Sequence, residues 1–286
     1  MFVISDPVSH NPLLLKILDI LAHASEILVQ EFDTYASGKV FKIDRKEDTS
    51  PVTQADLRVN QYITEELAKL EPFYPVLSEE SESVQRSEWK SFWMLDPLDG
   101  TKEFLHKRPE FTINLSLVCG DKTNFSALVV PCKGVVYLGY LDQHPYKYEF
   151  QSKRWWRYQA DSDQHSNVIR VGLSHNNKND QYQQLMTYLE QHYTVERLEA
   201  GSAYKFCLML EGEIDLYPRF HPTSEWDTSA GQGLLESIGG GLVSLKGLPF
   251  KYNVRDTLLN KGFLAFVSPK YEKLAKDLLS YMDNYN

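Results

Sequence analysis

A layered α/β or α+β architecture is predicted by three observations. The chain has 286 residues, of which 42% are hydrophobic and 13% aromatic, enough to bury a large core. Residues 111–158 read as a nearly continuous series of strands, whereas residues 168–267 alternate strand with helix. No window reaches the roughly 18 uninterrupted apolar residues that a membrane span requires.

The elements follow in order. Asn11-Pro12 supplies a cap and a first helical position, and Leu14, Ile17, Leu18, Leu21 and Leu28 recur at helical spacing toward a stop near Gly38. "VFKI" at 40–43 alternates as a short strand. In "TQAD", Thr53 caps a second helix with Asp56 in its first turn, and Val59, Ile63 and Leu67 form the apolar face. "PVL" and "SFWML" are short strands that run into acids, Glu79 and Glu80 after the first, Asp96 and Asp99 after the second. "FTINLSLV", "FSALVV", "GVVYLGYL", "YKYEF" and "RWWRY" continue as strands.

A soft boundary falls at 155–166, followed by strand 168–173, helix 178–192, strand 193–198, helix 203–212, strand 213–217, helix 227–238 and strand 262–267. A terminal helix would pack Tyr271, Leu274 and Leu278 inward. The expected organisation is one domain, residues 1–286, in two fused lobes, 1–160 and 161–286.

Net charge is −9 and pI near 5.4, which argues against a basic stripe for duplex nucleic acid. "KRWWRY" at 153–158 interleaves basic and aromatic residues, but strand alternation explains it with one apolar and one basic face. Cys119, Cys132 and Cys207 form no CxxC and are odd in number, so reduced thiols serving as small core residues are expected. The start, "MFVISDPVSHNP", lacks the basic residues and apolar run of a secretory signal, and a cytoplasmic location is expected. The eight histidines show no metal-ligand spacing, and "HNNKND" reads as a loop or helix start.

Glu79, Asp96 and Asp99 stand at the C-terminal ends of expected strands, and Asp227 in "SEWDTSAGQG" heads a helix. Hard cations take such oxygen ligands. Pro97 fixes the backbone so that the Leu98 carbonyl can join them, Gly100 permits close approach, and Thr101 opens a stretch whose N–H groups could hold a phosphate. Each signal has a plainer reading: a turn with two self-bonding aspartates, a solvated helix start at Glu79-Glu80, and a helix cap at Asp227. An EF-hand is excluded, because placing Gly100 at its sixth position puts Leu95 and Pro97 where oxygen ligands belong.

Taken together, "VLSEE", "WMLDPLDGTKEF" and "EWDTSAG" resemble the three signatures of the inositol-monophosphatase-like family of metal-dependent, lithium-sensitive phosphatases, over residues 12–267. "SPVTQAD" and "GSAYKFCLMLEGEIDLYPRF" are most similar to its bacterial 3′(2′),5′-bisphosphate nucleotidases of the CysQ type. The resemblance implies a layered α-β-α-β-α sandwich. It implies two or three Mg²⁺ ions held by Glu79, Asp96, Asp99, Asp227 and the Leu98 carbonyl, with Glu80 close by. It makes Thr101 and Asp56 the water-activating pair, and it lets Gly100 and Thr101 hold the scissile phosphate beside Leu98, Asp99 and Asp227. Gly201, Ser202 and Lys205 would line the substrate pocket, with Lys205 and Arg219 on the second phosphate.

The implied reaction takes the 3′-phosphate from adenosine 3′,5′-bisphosphate, giving AMP and phosphate, in a role connected to sulfate assimilation, with Li⁺ as inhibitor. The implied partner is a small nucleotide, not a nucleic acid polymer. The implied assembly is a monomer or homodimer without an integral membrane segment, loose association with the inner face of a membrane being left open. An inositol or other sugar monophosphatase is the alternative within the class. A non-catalytic metal-dependent nucleotide sensor is the alternative outside it, and it has no need of the Thr101–Asp56 pair.

Overall fold

The computed structural model describes every residue except 9, 47–50, 82–85, 159–166, 176–179 and 284–286. The first part of the chain forms β1 (Phe2–Ile4), α1 (Pro12–Ala36), β2 (Ile43–Arg45), β3 (Pro51–Thr53), α2 (Gln54–Leu67), β4 (Val76–Ser78), β5 (Ser91–Asp99) and the short α3 (Thr101–Leu105). Five antiparallel strands follow: β6 (Thr112–Cys119), β7 (Lys122–Val130), β8 (Val135–Tyr140), β9 (Tyr146–Glu149) and β10 (Arg154–Arg157). The rest comprises β11 (Val168–Leu173), α4 (Asp180–His192), β12 (Thr194–Glu199), α5 (Tyr204–Glu211), β13 (Leu216–Arg219), β14 (Thr223–Ser224) and α6 (Glu225–Glu236). It ends with β15 (Gly241–Ser244), β16 (Leu259–Asn260), β17 (Phe263–Phe266) and α7 (Pro269–Asp283).

Two sheets organise these elements. The larger has eight strands in the order β1-β10-β9-β8-β7-β6-β5-β4, antiparallel except for the parallel β4–β5 pair. The second has five, in the order β12-β11-β13-β17-β15. Helices α1 and α2 cover the outer face of the first sheet, α5 and α6 fill the space between the sheets, and α4 and α7 cover the outer face of the second. This is the α-β-α-β-α sandwich. Its helices follow from capping and periodicity: Asn11 Oδ1 accepts from Leu14 N at 3.0 Å, and Val59, Ile63 and Leu67 of α2 are wholly buried. Each such side chain contributes about 1.5–3 kcal/mol over an exposed one. Tyr271, Leu274 and Leu278 of α7 pack into the core that α4 and α7 form with the second sheet, as expected.

The differences have local causes. The strand expected at 40–43 forms instead at β2, because its partner is β3 and Val40 stands wholly in solvent. Strand β13 begins at Leu216, not 213, because α5 ends on left-handed Gly212 and Glu213 N bonds back to Leu208 O. Of the cysteines only Cys207 is a core residue; Cys119 is half-buried and Cys132 exposed on the 3₁₀ turn after β7. In β10 Trp155 is buried, Trp156 half-buried, and Arg154 and Arg157 exposed at the two ends, so each face carries one tryptophan and one arginine and the expected split into an apolar and a basic face does not form. The end of the soft boundary and most of "HNNKND" lie outside the described residues. Among the described residues no helix is long and apolar enough to cross a membrane.

Candidate active site

Parallel pairing of β4 with β5 brings two C-terminal strand ends together, and Glu79 N continues the ladder to Leu95 O at 3.1 Å. Strand β5 then runs through the aspartates, but its register with β6 slips between Asp96, opposite Asn114, and Asp99, opposite Thr112. Pro97 has no N–H to offer the ladder, so a bulge forms there. Leu98 N turns to Asp96 Oδ1 at 3.0 Å, and the Leu98 carbonyl, released from the sheet, lies 3.3 Å from Thr101 Oγ1. Gly100 follows with φ of 95°, a left-handed backbone that a β-carbon would strain.

Two helix starts supply the other acids. Thr53 and Asp56 form a capping box on α2: Asp56 Oδ2 accepts from Thr53 N at 2.8 Å and Thr53 Oγ1 at 2.6 Å. Its other oxygen, Oδ1, accepts from Thr101 Oγ1 at 3.2 Å. Ser224 and Asp227 form the same box on α6, with Asp227 Oδ2 accepting from Ser224 N at 2.8 Å. Asp227 is therefore the third helical residue and not the cap, and α6 begins two residues earlier than expected.

Carboxylate oxygens of Asp96, Asp99 and Asp227 come within 4.8 Å of one another. Burial pushes the Asp96 carboxyl well above its ordinary range, and the charges of Glu79, Asp99 and Asp227 push it further. Asp227 is raised likewise, by burial and then by Asp99 and Glu79. Among the described residues no ammonium or guanidinium lies within ion-pair distance of these three. Clustered carboxylates that repel one another, with no cation at ion-pair distance among the described residues, fit a hard divalent cation. Glu79 lies beside them, its carboxylate held by Lys46 at 2.6 Å.

A pocket opens against this cluster, lined by Asp99, Asp227, Ser202, Tyr217, Arg219 and Thr223 among others. Ser202 Oγ donates to Asp99 Oδ2 at 2.8 Å, and Ala203 N to the same oxygen at 2.5 Å, so the Gly201–Ala203 turn is fastened to the acids. Arg219 Nη1 bonds Ser174 Oγ at 3.1 Å, while its buried Nε has no partner among the described residues. Lys205 differs from the expectation of a pocket cation. It is wholly buried, donates to the carbonyls of Ala200 at 2.7 Å and Ser202 at 3.0 Å, and stands over the Tyr217 ring. Burial, with the charge of Arg219 behind it, lowers its pKa to about 7. In this geometry the lysine supports the turn from behind.

Sequence reasoning missed three groups around the site. Lys46 stands in the charged stretch "DRKED", which no motif marks. Glu110 accepts from Gly201 N at 2.8 Å and lies 2.6 Å from His175 Nε2, joining segments far apart in the chain. None of the three carried a local signal.

The layered fold agrees with the comparisons. The inositol monophosphatase family model matches residues 14–283, and the chain belongs to that family. Within it, a 3′(2′),5′-bisphosphate nucleotidase CysQ from Salmonella typhimurium is 34% identical over 87% of this chain and 97% of its own length. The CysQ nucleotidase of Escherichia coli K12 is 32% identical over the same shares. Among solved structures, CysQ from Bacteroides thetaiotaomicron superposes with a TM-score of 0.74 at 29% identity, covering 91% of this chain and 98% of its own. An IMPase of Thermotoga maritima gives 0.75 at 17% identity, covering 96% and 99%, a likeness of fold.

Proposed function

We propose that this protein hydrolyses the 3′-phosphate of adenosine 3′,5′-bisphosphate, releasing AMP and phosphate. The observation that carries the reading is the pocket wall, which places Arg219 in the same cavity as Asp99 and Asp227. A substrate with two phosphates needs such a pair of anchors, one at the acidic cluster with its cation and one at a guanidinium. The named activity of the CysQ relatives is consistent with it.

Asp96, Asp99, Asp227, Glu79 and the Leu98 carbonyl would hold Mg²⁺. When bound, the ion supplies Lewis-acid stabilisation of phosphoryl charge and acidifies a coordinated water. Thr101 has one hydroxyl proton; donating it to Asp56 leaves the oxygen to accept a proton from the attacking water. Burial raises the Asp56 pKa, which strengthens it as a base, while the Thr53 bonds hold its orientation. Water oxygen bonds to phosphorus as the ester P–O bond breaks. Two or three Mg²⁺ positions, inhibition by Li⁺, a monomer or homodimer in the cytoplasm, and two lobes, 1–160 and 161–286, complete the reading.

The test is Mg²⁺-dependent phosphate release from adenosine 3′,5′-bisphosphate and, in parallel, inositol 1-phosphate. Preference for the nucleotide supports the reading. Preference for inositol phosphate would retain the hydrolytic site and reject the pocket assignment, and release from neither would reject both.

A further inference from the structure

Lys46 leaves the small β2–β3 sheet and places its ammonium 2.6 Å from Glu79 Oε1 and 2.6 Å from Glu80 Oε1. Neither carboxylate is well hydrated; the Glu80 side chain is 5% exposed. The ammonium donates to both carboxylates at once. Glu79 directly follows β4, its N–H on the Leu95 carbonyl of β5, one residue before Asp96. The ammonium therefore sits in the field that would draw a divalent ion.

Its support is lightly attached. Ile43, Asp44 and Arg45 are all exposed, and among the described residues β2 pairs only with β3. A lysine on a flexible four-carbon stem can leave such a position without disturbing a core residue. A cation on Glu79 and an ammonium on the same carboxylate would be like charges a few ångströms apart, in a site screened poorly by water.

We infer that Lys46 is a tethered competitor for the divalent cation at Glu79. It neutralises Glu79 when no ion is bound and gives way when one binds, retaining its bond to Glu80. Lys46 thereby sets how tightly the site takes its ion. Because β3 ends at Thr53, which caps the helix carrying Asp56, release of the tether reaches one member of the Thr101–Asp56 pair. The inference rests on the proposed reading of the acidic cluster as a Mg²⁺ site.

Titration calorimetry of Mg²⁺ into the full chain tests it without reference to turnover. Lys46→Met is expected to lower Kd at least about tenfold, and Lys46→Arg, which keeps the charge, to return it to the wild-type value or above. In the wild-type chain, Mg²⁺ is expected to speed acetylation of the Lys46 amine, read by mass spectrometry. A Lys46→Met affinity equal to or weaker than wild type, or an amine whose reactivity Mg²⁺ leaves unchanged or lowers, overturns the inference and leaves the Mg²⁺ site standing. Absence of any Mg²⁺ uptake by the wild type would overturn the site reading and, with it, the competitor.

Discussion

Replacing Arg219 with Met should separate the two phosphates of the substrate. Arg219 is half-buried, is anchored through Ser174 Oγ at 3.1 Å, and keeps a buried Nε without a partner among the described residues. A charge-assisted bond from such a group to a phosphate contributes about 1.5–3 kcal/mol, which is roughly 10- to 150-fold in kcat/KM. That loss is expected for adenosine 3′,5′-bisphosphate. For 3′-AMP, which has no 5′-phosphate, the variant should stay within about threefold of wild type. Methionine fills similar volume, so the remaining cost is the partner lost to Ser174, about 1 kcal/mol of stability, read by thermal melting. Phosphate release from both nucleotides, measured side by side, decides the matter. Equal losses on the two substrates, or no loss on the bisphosphate, would refute the assignment of Arg219 to a second phosphate.

Three further outcomes are expected. Asp56→Asn should lower kcat about 10²- to 10⁴-fold by removing the proton acceptor of Thr101, and turnover within tenfold of wild type would end its role as base. Lys205 has a folded pKa of about 7 against about 10.4 when unfolded, so between those values the unfolded chain holds a proton that the folded chain has shed. Stability should therefore rise with pH across that window, by up to about 1.4 kcal/mol per pH unit, and Lys205→Met should remove this slope in denaturant melts at pH 7.5 and pH 9.5. Gly201→Ala would place a β-carbon 2.3 Å from Glu103 Cγ. A cost of about 1–3 kcal/mol is expected, because the Glu103 side chain or the turn carrying Ser202 must shift, and KM rises where the turn moves from Asp99; unchanged melting would contradict the close approach.

The acidic half of the site was legible because it is local. Glu79, Asp96, Asp99 and Thr101 lie within one short stretch, and Pro97 and Gly100 dictate its bulge and turn. "TQAD" also announced its capping box. "SEWD" has the same form, but Asp227 was read as the head of the helix, which displaced the start of α6. Lys205 shows where local pattern fails. A lysine in a short helix ordinarily seeks solvent, but α5 lies between two sheets, and Tyr204 through Leu210 are all buried. Lys46, Glu110 and His175 reach their partners only through tertiary approach, and no spacing in the chain encodes that.

The two capping boxes have a consequence for how the enzyme would fail on heating. Asp56 and Asp227 each divide their oxygens between the first turn of a helix and the site. Helix ends open before cores do. Unwinding a single turn of α2 or α6 would swing one of these carboxylates away while both sheets remained intact. Inactivation would then begin below the melting temperature of the fold, and reverse on cooling, with the first turns of two helices acting as its fuse.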